Sequence, residues 1–264
     1  MSLSLYTLEA SQRGLVTGTP QEIANYPSVN ALDFNPLTHW GITTAYGSRR
    51  IEIDCGKAIT VDGVGIWIRD YTTNFYDASG YYHVQYSNTA GAWTSWVTSH
   101  AWPNAAVGPF YILHEPGTSQ TRRYWAIEIG DLASSIYITH VLLFRKYIIT
   151  TGHLMPWSDG VRFFHTKRTT PCGHIISEQY RLGSNHLYTR NYRVEVSRSD
   201  IVNWQTVNRA CCGARYPFLL NEGTTDAEAM LMSFDDDDFD IANVADGIDT
   251  VQVKLVEEPY LRAS

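Results

Sequence analysis

Arg50-Ile51-Glu52-Ile53-Asp54-Cys55-Gly56-Lys57 places two isoleucines on one side of an extended chain and two carboxylates on the other. Alternation with a period of two marks a strand with one face buried and one face wet. The pattern recurs downstream. Tyr82, Val84 and Tyr86 alternate with His83 and Gln85; Val64, Ile66 and Ile68 share a face within residues 61–68; Trp125, Ile127 and Ile129 share one within 124–129. Residues 136–144 are almost wholly apolar, as a strand buried on both faces would be. Five such segments, joined by turns containing Gly, Asn, Pro and Ser, predict an antiparallel β-sandwich in the first half of the chain.

The style changes near Tyr147, where Thr150, Thr151, Gly152 and Pro156 interrupt the pattern and read as a boundary. Two domains are expected, residues 1–147 and 148–264, a division that suits a chain of 264 residues. The second half is predicted to be a smaller, β-rich α+β domain, with strands over 161–164, 192–196, 229–234 and 250–256. A single helix is predicted from Asp200 to Cys212, with Ser199 or Asp200 as N-cap, Ile201, Trp204 and Cys211 on one face, and Gly213 just beyond its end.

A formal net charge of −7 argues against nucleic acid as a partner, because phosphate neutralisation needs a basic face. The opening residues, MSLSLYTLEASQRG, carry no charged-then-apolar leader, and nowhere do 18 apolar residues run together. Neither export by the usual signal nor membrane insertion is expected. Cys55, Cys172, Cys211 and Cys212 are unevenly placed and read as reduced thiols. A zinc site from Cys172, His174, Cys211 and Cys212 would lack the usual ligand spacing. The acidic tract 234–240 fails as an EF-hand loop starting at Asp235, because Asp240 stands where Gly is needed and Asp246 where Glu is needed. It reads as a solvated loop.

The first-half segments also fall in a recognisable order. Ala31-Leu32-Asp33-Phe34-Asn35-Pro36-Leu37-Thr38-His39-Trp40, then Ile51 to Lys57, then Val61-Asp62-Gly63-Val64-Gly65-Ile66 follow one another. His83-Val84-Gln85-Tyr86-Ser87-Asn88 with Trp93, and Arg123-Tyr124-Trp125-Ala126-Ile127-Glu128-Ile129, complete the series. Together they resemble discoidin and coagulation-factor C-type domains, of the galactose-binding-like kind. The resemblance implies an eight-stranded jelly roll whose loops at one end bind sugars, lipids or proteins. Phe34 replaces that family's usual Gly, Cys55 its Leu, and its terminal disulfide is absent. Many members hold calcium near the Asp-Gly-Asn turn, which implies Asp33, Asn35 and Thr38 as ligands, although residues 139–144 lack the Glu often found in the last strand. No other cofactor is expected.

Sugar recognition needs an exposed ring to stack on a pyranose and fixed polar groups to hold its hydroxyls. The loop that follows residue 69 offers Asp70, Tyr71, Asn74, Phe75, Tyr76, Asp77 and Tyr81. These rings suit packing on a neighbouring domain or subunit more readily than they suit a glycan site. Trp40, Trp67 and Trp125 are expected in the core.

In the second half, Arg190 to Val196, Ser199-Asp200 opening a helix, Gly213-Ala214-Arg215-Tyr216-Pro217-Phe218-Leu219-Leu220, and Val251 to Glu258 weakly resemble bacteriophage distal-tail and minor-tail proteins. That resemblance implies a structural subunit of a tail tip or baseplate, assembled in the host cytoplasm into the virion. Its partners would be other tail subunits, copies of itself in a trimeric or hexameric ring, and host-surface polysaccharide. A carbohydrate-binding module without a virion role, and a glycoside hydrolase with an appended binding domain, stand as alternatives. No nucleophile elbow, phosphate loop, dinucleotide fingerprint or zincin pair is present, so a non-catalytic protein is expected. The paired carboxylates of a glycosidase would leave no local pattern.

Overall fold

The computed structural model describes residues 3–8, 10, 11, 14–17, 23, 25–33, 38–42, 49–71, 81–101, 110–130, 135–149, 155–163, 165–169, 175–179, 186–196, 198–212, 216–221, 230–234, 240–245 and 248–257. The chain divides into two compact units, Leu8–Lys146 and Met1–Thr7 with Tyr147–Arg262. The first strand, β1 (Leu3–Thr7), therefore counts with the second unit.

The first unit is an antiparallel β-sandwich. Its strands are β2 (Leu15–Val16), β3 (Trp40–Ile42), β4 (Arg50–Val61), β5 (Gly63–Tyr71), β6 (Tyr81–Ser87), β7 (Thr94–Ala101), β8 (Phe110–His114), β9 (Gln120–Gly130) and β10 (Ile136–Ile149), and a 3₁₀ turn covers Ser28–Leu32. One sheet runs β2-β4-β9-β6-β7; the other joins β3, β10, β5 and β8, with β10 between β3 and β5. The nine strands, among the described residues, exceed the eight of the jelly roll by short pieces such as β2.

The alternation seen in the sequence points inward as expected. Ile51, Ile53, Tyr82, Val84, Trp125, Ile127 and Ile129 from one sheet meet Trp40, Ile66, Ile68, Ile136, Ile138, Val141 and Leu143 from the other, all buried. Trp67 departs from expectation: it is half-buried, because it alternates with Ile66 and Ile68 and so takes the opposite face of β5. Cys55 is 3% exposed and its thiol lies 3.5 Å from the Ala10 carbonyl oxygen, filling its site as a small hydrophobe. On the outer face of the five-stranded sheet, Arg50 bonds Glu52, reaches Gln85 at 3.2 Å and lies over the Trp93 ring at 5.0 Å.

Strand β4 runs further than its alternation suggested. Its pairing with β9 jumps from Asp54 opposite Tyr124 to Ile59 opposite Arg122, an irregularity that absorbs Gly56 at a φ of 73°. Glycine enters that left-handed conformation without Cβ strain.

The second unit adds β11 (Met155–Phe163), β12 (His165–Thr169), β13 (Ile175–Gln179), β14 (His186–Val196), α1 (Arg198–Ala210), β15 (Phe218–Asn221), β16 (Met230–Phe234), β17 (Asp240–Ala245) and β18 (Ile248–Glu257). Its main sheet runs β11-β14-β18-β16-β15-β1, with β17 also on β18, and β12 and β13 form a separate hairpin. Leu5 pairs with Leu220 and Tyr6 with Leu219. Helix α1 packs against β1, β14 and β18. It buries Ile201, Trp204 and Val207, and Cys211 just after it, among Leu3, Leu5, Ile149, Phe218, Leu220, Met232, Phe234, Val253 and Leu255.

The helix begins at Arg198, so Ser199 and Asp200 lie inside its first turn rather than capping it. An acidic residue there still opposes the positive end of the helix dipole. At the other end the left-handed residue is Cys212, with a φ of 51°; Gly213 lies outside the described residues. No described helix is long and apolar enough to cross a membrane.

Candidate functional site

Three short pieces of backbone meet where β3, β10 and β5 end together. Tyr137 on β10 stands opposite Gly41 of β3 on one side and Asp70 of β5 on the other, and Ile136 stands between Ile42 and Tyr71. Gly41 uses both of its backbone groups on a preceding bracket: its N–H donates to the Tyr26 carbonyl at 3.0 Å and its carbonyl accepts from the Ile23 N–H at 2.9 Å. A Cβ at residue 41 would come within 2.9 Å of the Tyr26 Cβ, so the missing side chain is what lets Tyr26 lie over β3.

That seating gathers three rings. Tyr26 stacks on His39 with centroids 5.7 Å apart and planes 14° from parallel. Tyr137 meets Tyr26 edge-on at 5.1 Å and His39 at 6.1 Å. All three are half-buried. The amide of Asn30 donates to the His39 carbonyl at 3.0 Å and fixes the strand from behind. The result is a cluster of three half-buried rings carrying two phenolic hydroxyls and an imidazole, groups that can pack on an apolar ring face and bond its hydroxyls.

The residues expected from the sequence distribute around this cluster unevenly. Asp70 and Tyr71 end β5 beside Tyr137 and Ile136; Asn74, Phe75, Tyr76 and Asp77 lie outside the described residues. Tyr81 belongs to the other sheet. It is half-buried, its ring lies 4.8 Å from that of His83, and it covers Gly130, where any Cβ would run into it. Tyr26, His39 and Tyr137 were not singled out in the sequence. The one local signal is Tyr137 itself, a ring with a polar tip within the mostly apolar run 136–144.

Of the calcium candidates, the Thr38 hydroxyl donates to Asp33 Oδ2 at 2.6 Å, and Asn35 lies outside the described residues. Among the described residues, these two side chains fall short of the six to eight oxygens that calcium takes, and no group of three His, Cys, Asp or Glu comes together to hold a metal. Cys172, His174 and the acidic tract 235–239 lie outside the described residues. Cys55, Cys211 and Cys212 are free. Burial pushes the Cys55 and Cys211 thiols up to about 12, which leaves them protonated and unreactive at neutral pH.

No protein-family model and no curated protein sequence matches the chain. Among solved structures, the chain is similar to the family 32 CBM from C. perfringens NanJ in complex with galactose. The TM-score is 0.42 at 16% identity, covering 53% of this chain and 99% of that one. It is similar also to CBM32-1 from a family 31 glycoside hydrolase of Clostridium perfringens, at a TM-score of 0.41 and 11% identity, covering 52% and 97%. A Ruminococcus gnavus GH29 fucosidase in complex with fucose matches at a TM-score of 0.39 and 21% identity, over 53% of this chain but 27% of the fucosidase.

Proposed function

We propose that the sandwich unit is a non-catalytic carbohydrate-binding domain whose ligand rests on Tyr26, His39 and Tyr137, beside the end of β5. The observation that carries this reading is the meeting of three half-buried rings at the β3–β10–β5 end, on a framework locked by Gly41. A pyranose face gains from such rings because they remove its axial C–H groups from water without ordering a long side chain. The test is a glycan array, followed by titration of bacterial surface polysaccharides, with the intact chain. Tyr137→Ala should weaken glycan binding on the order of tenfold while the fold survives, as a hot-spot ring does. A wild type that binds no glycan, or a Tyr137→Ala protein that binds as well as wild type, defeats the reading.

A second reading, a structural subunit of a phage tail tip or baseplate, draws support from the second unit. There β14, helix α1, β15 and the closing strand β18 follow in the order that the resemblance to tail proteins implies. Light scattering over a range of concentrations tests it, since a closed ring of six 29.8 kDa chains has a mass of about 180 kDa. A monomer at every concentration, including in the presence of tail-tube protein, sinks this second reading and leaves the first standing.

A further inference from the structure

The two sheets of the sandwich each end in a strand that carries a histidine to the same seam. β7 is the last strand of the five-stranded sheet and β8 the last of the other. His100 on β7 and His114 on β8 have ring centroids 4.2 Å apart with planes at 61°. The buried ring of Tyr82, the register partner of His100 on β6, packs against both, 5.1 Å from His100 and 5.9 Å from His114. His100 is exposed and His114 half-buried, so protons reach the pair directly from solvent.

The groups that face this pair, among the described residues, are few. From β6 comes the Tyr82 phenol, which is uncharged in the acidic range. From the end of β8 comes Glu115, whose carboxylate is held by the Lys146 ammonium at 2.8 and 2.9 Å. β5 presents Val64 opposite His114, with Gly63 before it, and neither titrates. Burial first, and the neighbouring His100 second, hold the His114 imidazole below its ordinary value, with Glu115 acting the other way.

We propose that the His100–His114 contact is an acid-sensitive clasp between the two sheet edges, closed while either ring is neutral and opened when both carry a proton. Two neutral rings pack edge to face. One charged ring against a neutral one is retained as a cation–π contact. Two charged rings at this separation repel, and the Glu115 carboxylate that would offset the repulsion is engaged by Lys146. Each step adds one solvent proton to one imidazole nitrogen and breaks no covalent bond.

The test uses the intact chain. Imidazole C–H resonances of His100 and His114 are followed by NMR from about pH 7.5 to 5, and amide protection factors are measured in β7 and β8 over the same range. In wild type, the His114 ring should titrate below the ordinary histidine value, and β7 protection should fall by about tenfold as the second proton binds. In His100→Gln, an exposed substitution, His114 should titrate at higher pH and the acid loss of protection should vanish. His114→Gln should abolish the loss as well. Unchanged His114 titration in His100→Gln overturns the proposal. So does wild-type protection that holds to pH 5, or that falls equally in the variants.

Discussion

Asp54 and Arg123 form a two-pronged pair across β4 and β9, with Nε donating to Oδ1 at 2.7 Å and Nη2 to Oδ2 at 2.8 Å. The same Oδ1 accepts the Gly56 N–H at 2.8 Å, so one carboxylate closes the irregular stretch of β4 and ties it to the neighbouring strand. Because Arg123 is 43% exposed on its side chain, solvent screens the charge part of this interaction and the hydrogen-bond geometry contributes most of its value.

Asp54→Asn should therefore destabilise the protein by about 1 kcal/mol at pH 7, measured by urea unfolding. The hydrogen bonds from Arg123 hold the Asp54 carboxyl below its usual range, burial opposes them, and the Gly56 bond adds to the lowering. A lowered carboxyl contributes stability that is complete above the unfolded value near 3.9 and is lost as pH falls through the folded value. The gap between wild type and Asp54→Asn should accordingly close below about pH 4. Equal stabilities at pH 7 would show that the pair is ornamental.

His140, 2% exposed on β10, gives a steeper dependence. Burial pushes its imidazole down to about 4, against a smaller upward effect from the Thr139 backbone. The unfolded chain protonates it near 6.5, so the neutral ring stabilises the fold fully above that pH and the contribution drains away down to about pH 4. The whole effect is roughly 3 kcal/mol. Replacing it with Gln should flatten the slope of unfolding free energy between those limits, whatever the variant's absolute stability; an unaltered slope counts against a buried neutral ring.

Gly63→Ala tests close approach at the start of β5. A Cβ there would run into the His114 carbonyl oxygen and the Phe144 ring. The ring can shift but the carbonyl belongs to a paired strand, so a loss of about 2 to 3 kcal/mol is expected in thermal or urea unfolding. Wild-type stability in this variant would mean that β5 and β8 slide apart freely.

Trp204 separates volume from polarity in the second unit. Its side chain is fully buried, and its indole N–H finds no hydrogen-bond partner among the described residues. Trp204→Ala should cost about 3 to 5 kcal/mol through the cavity it leaves. Trp204→Phe should cost less than about 1.5 kcal/mol, because the smaller ring also removes an unsatisfied donor. Comparable losses in the two variants would contradict this ordering.

Period-two alternation made the inner faces of β4, β6 and β9 legible, since Ile51, Ile53, Val84, Ile127 and Ile129 each sit one residue from a polar neighbour. The helix was legible from Ile201, Trp204 and Cys211. Strand β4 was cut short because Gly56-Lys57 reads as a turn when only neighbours are considered, whereas pairing with β9 carries the strand through it. β3 escaped notice because three residues hold too little alternation to register. The aromatic cluster was hidden for a different reason. Tyr26, His39 and Tyr137 come from three segments, and their meeting depends on the absence of a side chain at Gly41, which no local pattern announces.

The pairing of Leu3–Thr7 with Phe218–Asn221 also imposes an order on synthesis. On the ribosome the apolar Leu3 and Leu5 emerge well before Leu219 and Leu220, so the edge of β1 that pairs with β15 is completed only when those residues have left the exit tunnel. The sandwich of residues 8–146 has all its own strands in hand long before that, and domains generally fold as they emerge. One edge of β1 faces β10 and the other waits for β15, and until β15 is made that second edge is an open apolar one for a chaperone to shield.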